Sequence, residues 1–83
     1  MSSRLKLLAF AGARDVVGAH EVDWPLAEPC TVAELFDAIC QRFTGLSAHR
    51  SSLRIAVNGT YASGDALVRP GDEVALIPPV AGG

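Results

Sequence analysis

The sequence predicts an α+β roll in which one main helix packs on one face of a small sheet. Several short segments alternate apolar and polar residues at the period of a half-buried strand, and one longer segment repeats apolar residues at helical spacing. The chain has 83 residues, which suffices for one domain with one hydrophobic core. Because a single helix covers only one sheet face, the other face is left to solvent or to a partner.

Composition and charge exclude several classes of function. The net charge is −2 and the isoelectric point about 5.5, so nothing draws the chain to nucleic acid or anionic lipid. No apolar run approaches the roughly 18 residues that a membrane-spanning helix needs. Hydrophobic residues make up 49% of the chain, so apolar surface beyond the core is expected on a partner-facing patch. Cys30 and Cys40 lack disulfide-framework or metal-ligand spacing, which favours a reducing cytoplasm and predicts no metal site.

Residues 4–10 are predicted to form the first strand. Leu5 and Leu7 fall on one face of this strand, whereas Leu8 and Phe10 fall on the other. The second face therefore becomes apolar toward the end of the strand, which a purely solvent-exposed row would not do. Surplus apolar area is expected there.

A hairpin is predicted from the next segments. Residues 11–18 form a compact connection with room for one helical turn. Residues 20–24 alternate again, with His20, Val22 and Trp24 on one face. This second strand is expected to pair with the first.

A helix that begins after Thr31 is the clearest single element. Thr31 and Glu34 have the spacing of a capping box, in which each side chain accepts a hydrogen bond from the other residue's backbone N–H. Gly45 is expected to end the helix in the left-handed conformation. The apolar residues between them form a core-facing stripe about three turns long: Val32, Leu35, Phe36, Ile39, Cys40 and Phe43.

The C-terminal half predicts further strands separated by tight turns. Residues 45–52 are interpreted as a polar loop, and residues 53–58 alternate as a strand. Asn58-Gly59 predicts a tight turn into a short returning strand, because both residues tolerate positive φ. Pro70-Gly71 predicts a type II turn.

The last predicted strand covers residues 73–77. Val74 and Leu76 fall on one face, and Ala75 and Ile77 on the other. Ile77 is therefore expected on the same surplus apolar face as Phe10. Leu67 and Val68, which precede this strand, are expected to add to the core.

No residue pattern indicates an autonomous enzyme. His20 and His49 have no recognisable partner for general acid–base catalysis. Cys40 falls in the apolar stripe of the helix, and Cys30 precedes the helix cap, where a thiolate could be modestly stabilised although a structural role is favoured. The turn carboxylates fit turn chemistry better than an acid–base pair.

The tail is the remaining candidate for chemistry. Pro78 and Pro79 prevent the last strand from continuing and stiffen the base of the tail. Gly82 and Gly83 lack a Cβ and can thread a narrow channel. The α-carboxylate of Gly83 becomes an acceptor for an amine or for sulfur once a partner activates it, for example as an acyl-adenylate.

Three segments together resemble the small subunit of molybdopterin synthase, a ubiquitin-like β-grasp sulfur carrier. They are residues 10–18, residues 56–59 and residues 71–83, in the family's order and spacing. The last is specific, because a Gly-Asp-Glu-Val segment running into Pro-Pro-Val-Ala-Gly-Gly is hard to obtain by chance. The resemblance implies a β-grasp roll over residues 1–83, with a mixed sheet of about five strands, one main helix on one face, and a flexible tail from about residue 78.

The resemblance also implies a sulfur-transfer function centred on Gly83. A ubiquitin-activating-like adenylyltransferase uses ATP to adenylate this glycine, and sulfur then converts it to a thiocarboxylate. The tail inserts into the large synthase subunit, which holds the catalytic residues, within a heterotetramer. Sulfur passes there to the cyclic pyranopterin precursor of the molybdenum cofactor, and no cofactor is bound by the carrier itself. The inserted residues are Pro78, Pro79, Val80, Ala81 and Gly82.

By position, Phe10, Tyr61 and Ile77 match places where the family presents apolar residues to partners. Ala81 stands where serine or threonine is common, a change expected to be neutral. Ala9 and the Leu76-Ile77 pair are less aromatic than in many relatives, which bears on partner affinity rather than on chemistry.

Three other functions remain open at this point. The thiamin-pathway sulfur carrier is also a β-grasp protein ending in Gly-Gly, but it is usually shorter and lacks the Pro-Pro-Val lead-in. A protein modifier conjugated to lysines is a second alternative, and the lone Lys6 argues only against chains built on the protein itself. A plain interaction module with an incidental tail is the third.

Overall fold

The computed structural model describes residues 3–78 of the chain. In chain order the elements are β1 (Arg4–Ala9), α1 (Ala11–Val17), β2 (Glu21–Pro25), β3 (Cys30–Thr31), α2 (Val32–Arg42), a 3₁₀ helix (Thr44–His49), β4 (Arg54–Val57), β5 (Thr60–Tyr61), β6 (Leu67–Val68) and β7 (Glu73–Ile77). No helix in this range is long and apolar enough to cross a membrane.

Five of these strands form a mixed sheet in the order β2-β1-β7-β4-β5. β1 and β7 run parallel at its centre, with Leu7 opposite Val74, and the other neighbours are antiparallel. Parallel neighbours need a crossover connection, and α2 lies within that connection. β3 and β6 form a separate antiparallel pair. The predicted α+β class, with a mixed five-stranded sheet and one main helix, is confirmed.

The core lies between α2 and one face of the sheet. Leu7, Val74 and Leu76 from the central strands and Ile39 from the helix are each fully buried and belong to one cluster. Burial of a leucine or isoleucine side chain stabilises the fold by about 1.5–3 kcal/mol. This is the sheet face that the alternation in β1 and β7 predicts.

Helix α2 begins at the predicted capping box. The Glu34 N–H donates to Oγ1 of Thr31 at 3.1 Å, and the Thr31 N–H donates to Oε1 of Glu34 at 2.9 Å. These bonds satisfy backbone groups that have no partner within the helix. The backbone hydrogen bond, followed by that from the Thr31 hydroxyl, lowers the pKa of the Glu34 carboxyl below its ordinary value.

The prediction that Gly45 caps α2 in the left-handed conformation is wrong. The C-cap is Phe43, with φ of −112°, and Gly45 lies inside the 3₁₀ helix without a positive φ. A Cβ on Gly45 would lie 2.9 Å from Cγ1 of Val16, so close packing of α1 on the 3₁₀ helix requires the glycine. The predicted polar loop over residues 45–52 is also wrong in part, because Leu46 is fully buried.

Three smaller expectations also differ from the structure. Leu67 is 53% exposed whereas Val68 is fully buried, since adjacent strand residues point to opposite faces and only one can enter the core. His20 is exposed and lies just outside β2. The helix in the connection after β1 is longer than the single turn expected, because α1 has 7 residues. Its C-cap is Gly18, where φ is 85°.

Both glycine turns are confirmed. Asn58 and Gly59 have φ of 51° and 85° between β4 and β5, as a two-residue hairpin turn requires. Gly71 has φ of 92°, and the Asp72 N–H donates to the Arg69 carbonyl at 3.1 Å, which closes the turn before β7.

Candidate functional site

A groove crosses the face of the sheet opposite the core, and we call it the second-face groove. It is open to solvent and has a volume of about 300 Å³. Its lining residues come from β1, the residue that follows β1, β7, β4, β5 and the β4–β5 turn: Leu8, Phe10, Ala56, Gly59, Tyr61, Glu73, Ala75 and Ile77. The groove therefore depends on strands that are distant in the sequence.

The register of the sheet sets the floor of the groove. Leu8 pairs with Ala75 across the parallel ladder, Ala75 pairs with Ala56, and Ala56 pairs with Tyr61. Directly opposed residues present their side chains on the same face. The two alanines in the middle of this row are small, so the larger side chains around them enclose a depression.

The predicted partner residues Phe10, Tyr61 and Ile77 all line this groove. Tyr61 is 65% exposed and Phe10 is 38% exposed, which makes them two of the largest apolar side chains open to solvent in the described chain. The Phe10 N–H donates to the Leu76 carbonyl at 3.3 Å and extends the β1–β7 pairing. The ring of His20 packs edge-on against Phe10 with 5.0 Å between ring centroids.

Arg54 lies beside the groove at the end nearest the tail. Its Cα is the register partner of Ile77, the last residue of β7. Its guanidinium carbon lies 5.8 Å from the centroid of the Tyr61 ring, within the range of a cation–π contact. No local signal in the sequence distinguishes this residue.

The opposite end of the groove is held by a polar network at the β4–β5 turn. The Glu73 N–H donates to Oδ1 of Asn58 at 2.9 Å, and the Asn58 N–H donates to the Glu73 carbonyl at 2.7 Å. Nδ2 of Asn58 donates to Asp72, whose other oxygen accepts the Arg69 N–H at 2.8 Å. This network fixes the turn against the start of β7.

The small residues of the groove floor were also not predicted from the sequence. Ala56 and Ala75 carry no motif or charge, and only their pairing across β4 and β7 makes them functional candidates. The alternation of β7 does place Ala75 on the face of Ile77, and the alternation of β1 places Leu8 with Phe10. These two alternation patterns were sufficient to predict that Ala75 and Leu8 belong to the groove floor.

The predicted transfer residues lie mostly beyond the described part of the chain. Pro78 is half-buried and directly follows β7. Pro79, Val80, Ala81, Gly82 and Gly83 lie outside the described residues. The groove therefore borders the point where the tail leaves the sheet.

Neither cysteine is activated. Burial raises the pKa of the Cys30 thiol, and the nearby Glu34 carboxylate raises it further, so the helix start does not stabilise a thiolate there. Burial also raises the pKa of Cys40. Both thiols are free. In residues 3–78 no group of three or more His, Cys, Asp or Glu side chains could hold a metal ion.

Known proteins of similar sequence and structure include sulfur carrier subunits and a protein modifier. The molybdopterin synthase sulfur carrier subunit of Aedes aegypti is 40% identical, covering 96% of this chain and 89% of its own. A solved Pyrococcus furiosus structure, described as subunit 1 of a molybdopterin converting factor, is 31% identical with a TM-score of 0.83, covering 95% of this chain and 100% of its own.

A solved structure of SAMP1, small archaeal modifier protein 1, from Haloferax volcanii is 27% identical with a TM-score of 0.82. It covers 96% of this chain and 99% of its own. A model of the ThiS family matches residues 7–83. The chain belongs to the ThiS family.

Proposed function

We propose that this protein is the sulfur carrier subunit of a molybdopterin synthase. The observation that carries the proposal is the 40% identity to the Aedes aegypti sulfur carrier subunit across nearly the whole chain. The family match extends to Gly83, so it includes the proposed carrier end as well as the fold. The second-face groove at the base of the tail supplies a surface for a partner.

The chemistry takes place at the Gly83 carboxyl group. One carboxylate oxygen attacks the α-phosphorus of ATP, pyrophosphate leaves, and an acyl-adenylate forms. A sulfur nucleophile at the oxidation level of sulfide then displaces AMP and leaves a thiocarboxylate. Activation is necessary because a free carboxylate is a poor electrophile. The fold supplies only the presentation of the tail, since the last strand leads directly into Pro78.

Two protein partners are required by this scheme. An adenylyltransferase of the ubiquitin-activating kind binds ATP and carries out the activation. A large synthase subunit receives the tail and supplies the catalytic residues that pass sulfur to the pterin precursor. The similar Aedes aegypti protein is a subunit of a synthase, which supports the second partner. Two free thiols fit a cytoplasmic setting.

The groove is the proposed docking surface for these partners. Phe10 and Tyr61 are large, exposed aromatic side chains beside a depression with an apolar floor. Such a surface binds an apolar anchor from a partner and excludes water around it. Because Ile77 lines the groove and Pro78 follows it, docking there orients the tail toward the partner.

A second candidate function is conjugation to other proteins, as a modifier. The likeness to the Haloferax volcanii modifier protein favours this candidate specifically. Both functions share the adenylation of a C-terminal glycine, and they diverge in what attacks the activated carbonyl. Sulfur gives a carrier, and a lysine amine gives an isopeptide conjugate.

Intact mass spectrometry of the protein purified from its own cells distinguishes the two functions. A carrier gains the mass difference between sulfur and oxygen, and an alkylating reagent that reacts with thiocarboxylates adds to Gly83. A modifier instead yields glycyl-lysine isopeptides on other proteins after protease digestion. Finding isopeptides without any sulfur-bearing form would refute the carrier proposal.

A further inference from the structure

We propose that Arg54, held on the ring of Tyr61, binds a carboxylate of the large synthase subunit at the tail end of the second-face groove. This inference rests on the proposed function, because the large subunit is the partner that receives the tail. It assigns a specific chemical feature to the partner: an acidic side chain adjacent to the apolar group that fills the groove.

The position of Arg54 places it at the edge of the docking surface. It is the register partner of Ile77 and points to the same face as the groove lining. Two residues further along β4, Ala56 forms part of the groove floor. A partner side chain that reaches the floor near Ile77 therefore passes close to the guanidinium.

Arg54 is available for a partner. Within residues 3–78 its guanidinium forms no ion pair and no hydrogen bond, and its contact is with the face of the Tyr61 ring. A cation–π contact at this distance uses none of the guanidinium N–H donors, so they remain free for a carboxylate.

The charge of Arg54 is locally uncompensated, unlike that of Glu73 at the other end of the groove. Lys6 lies directly across from Glu73 in the parallel β1–β7 ladder and on the same face, so the two charges offset each other. Arg54 lies across from the apolar Ile77. The protein has a net charge of −2, yet no carboxylate of residues 3–78 forms an ion pair with Arg54 at the tail end of the groove. Charge complementarity there favours an acidic group on the partner.

The role of Arg54 is docking rather than chemistry. A fully extended chain from Ile77 to Gly83 spans roughly 20 Å. With the tail extended into the large subunit, the reacting carbonyl lies far beyond the reach of an arginine side chain on β4. Arg54 therefore acts in docking, and arginine and tyrosine are among the residue types that most often contribute the binding free energy of an interface.

Three variants test the proposal by calorimetric titration with the large subunit. Arg54→Glu reverses the charge and is expected to raise the Kd more than about tenfold, and Arg54→Met, which keeps an apolar stem, about fivefold. The matched control is Arg42→Glu on α2, because Arg42 lies 5.6 Å from the centroid of the Phe43 ring but on the helix side. Its Kd is expected to stay within about twofold of the unmodified protein.

Two further measurements identify the contact as a charge pair. The Kd of the unmodified protein should rise more steeply with added salt than that of Arg54→Met. Each surface aspartate and glutamate of the large subunit is replaced by arginine, one position at a time. One of these variants should bind Arg54→Glu with restored affinity. Thermal unfolding of each carrier variant checks that the fold is retained, as expected for the exposed residues Arg54 and Arg42.

The outcomes separate this proposal from the proposed function. If the unmodified protein binds the large subunit and Arg54→Glu binds equally well, the Arg54 contact is refuted while the carrier function stands. The same conclusion follows if Arg54→Glu weakens only the complex with the adenylyltransferase. If the unmodified protein itself does not bind the large subunit, the proposed function fails.

Discussion

Ala56 lies directly opposite Ala75 in the antiparallel ladder of β4 and β7, and together they form the centre of the second-face groove. A larger residue at either position would fill the depression. Ala75 is half-buried and faces the open groove, so a larger side chain there can project outward rather than into the core.

Ala75→Leu is therefore expected to weaken the complex with the large subunit by about tenfold while leaving the unfolding free energy within about 0.5 kcal/mol. The leucine occupies the space that the partner's apolar anchor needs. Calorimetric titration measures the binding, and urea denaturation measures the stability. Ala27→Leu, in an exposed connection, is the control and should leave the Kd unchanged. A normal Kd for Ala75→Leu would show that the groove is not filled in the complex.

Phe10→Asp and Ile77→Asp are expected to weaken binding to the large subunit by more than tenfold, roughly 1.4 kcal/mol or more in binding free energy. Each change places a charge where the partner's apolar surface would otherwise exclude water. Leu67→Asp is the matched control, because Leu67 is 53% exposed but lies on β6, outside the groove. Equal losses for all three variants would indicate a general effect of added charge instead of a specific interface.

Deletion of Gly83 is expected to abolish sulfur transfer and to leave binding to the large subunit largely intact. The deletion moves the terminal carboxylate to Gly82 and shortens the tail by one residue, so the carboxylate no longer reaches the position that the reaction requires, whereas the groove residues are unchanged. A reconstituted assay of dithiolene formation measures the transfer, with Ser3→Ala at the other end of the chain as control. Sulfur transfer by the truncated protein would disprove the role of the tail.

The capping box of α2 predicts a pH dependence of stability. The pKa of Glu34 is lowered from its ordinary value of 4.5 in the folded state. Its ionised form therefore contributes stability above the unfolded pKa, and this contribution is lost as the pH falls through the folded pKa. Urea denaturation from neutral pH down to about pH 3 should show a shallower loss of stability for Glu34→Gln than for the unmodified protein.

The cap itself can be tested at neutral pH, where Thr31→Ala should cost about 1 kcal/mol of unfolding free energy. Ser51→Ala, at an exposed position outside any helix, is the control. An identical acid profile for Glu34→Gln would mean that other carboxylates dominate. Asp65 is one such group, because a hydrogen bond from Ser63 lowers its pKa.

Gly45→Ala is expected to destabilise the fold by about 1–2 kcal/mol. The added Cβ would lie 2.9 Å from Cγ1 of Val16, whose branched side chain has little rotamer freedom. Combination with Val16→Ala should relieve the clash, so a double-mutant cycle should show a favourable coupling. Gly12→Ala in α1 is the control: its Cβ meets nothing within 4 Å, and it should be neutral or stabilising. A neutral Gly45→Ala would show that the helix and the 3₁₀ segment separate easily.

Local signals in the sequence were sufficient for much of the fold. The capping box at Thr31, the Asn58-Gly59 turn and the turn at Gly71 all form as predicted, because each depends on residues within a few positions of one another. Gly45 and Leu46 were misassigned for the opposite reason. Their roles depend on packing against elements that are remote in the chain.

The sequence by itself determined the strand faces and the composition of the tail. Alternation placed Phe10 and Ile77 on the face away from the core, and the resemblance of residues 71–83 to a sulfur carrier identified the function that the relatives' names support. Neither inference needed long-range contacts, because side-chain direction in a strand follows from its period of two.

Only the tertiary structure decided how these residues combine. The first and last strands pair in parallel, which brings Leu8 beside Ala75, and β4 then adds Ala56 and Arg54 on the other side. The groove floor and the arginine at its rim thus depend on the register between distant strands. That register results from burying all the apolar strand faces on α2 at once, a collective condition that no single segment of the sequence expresses.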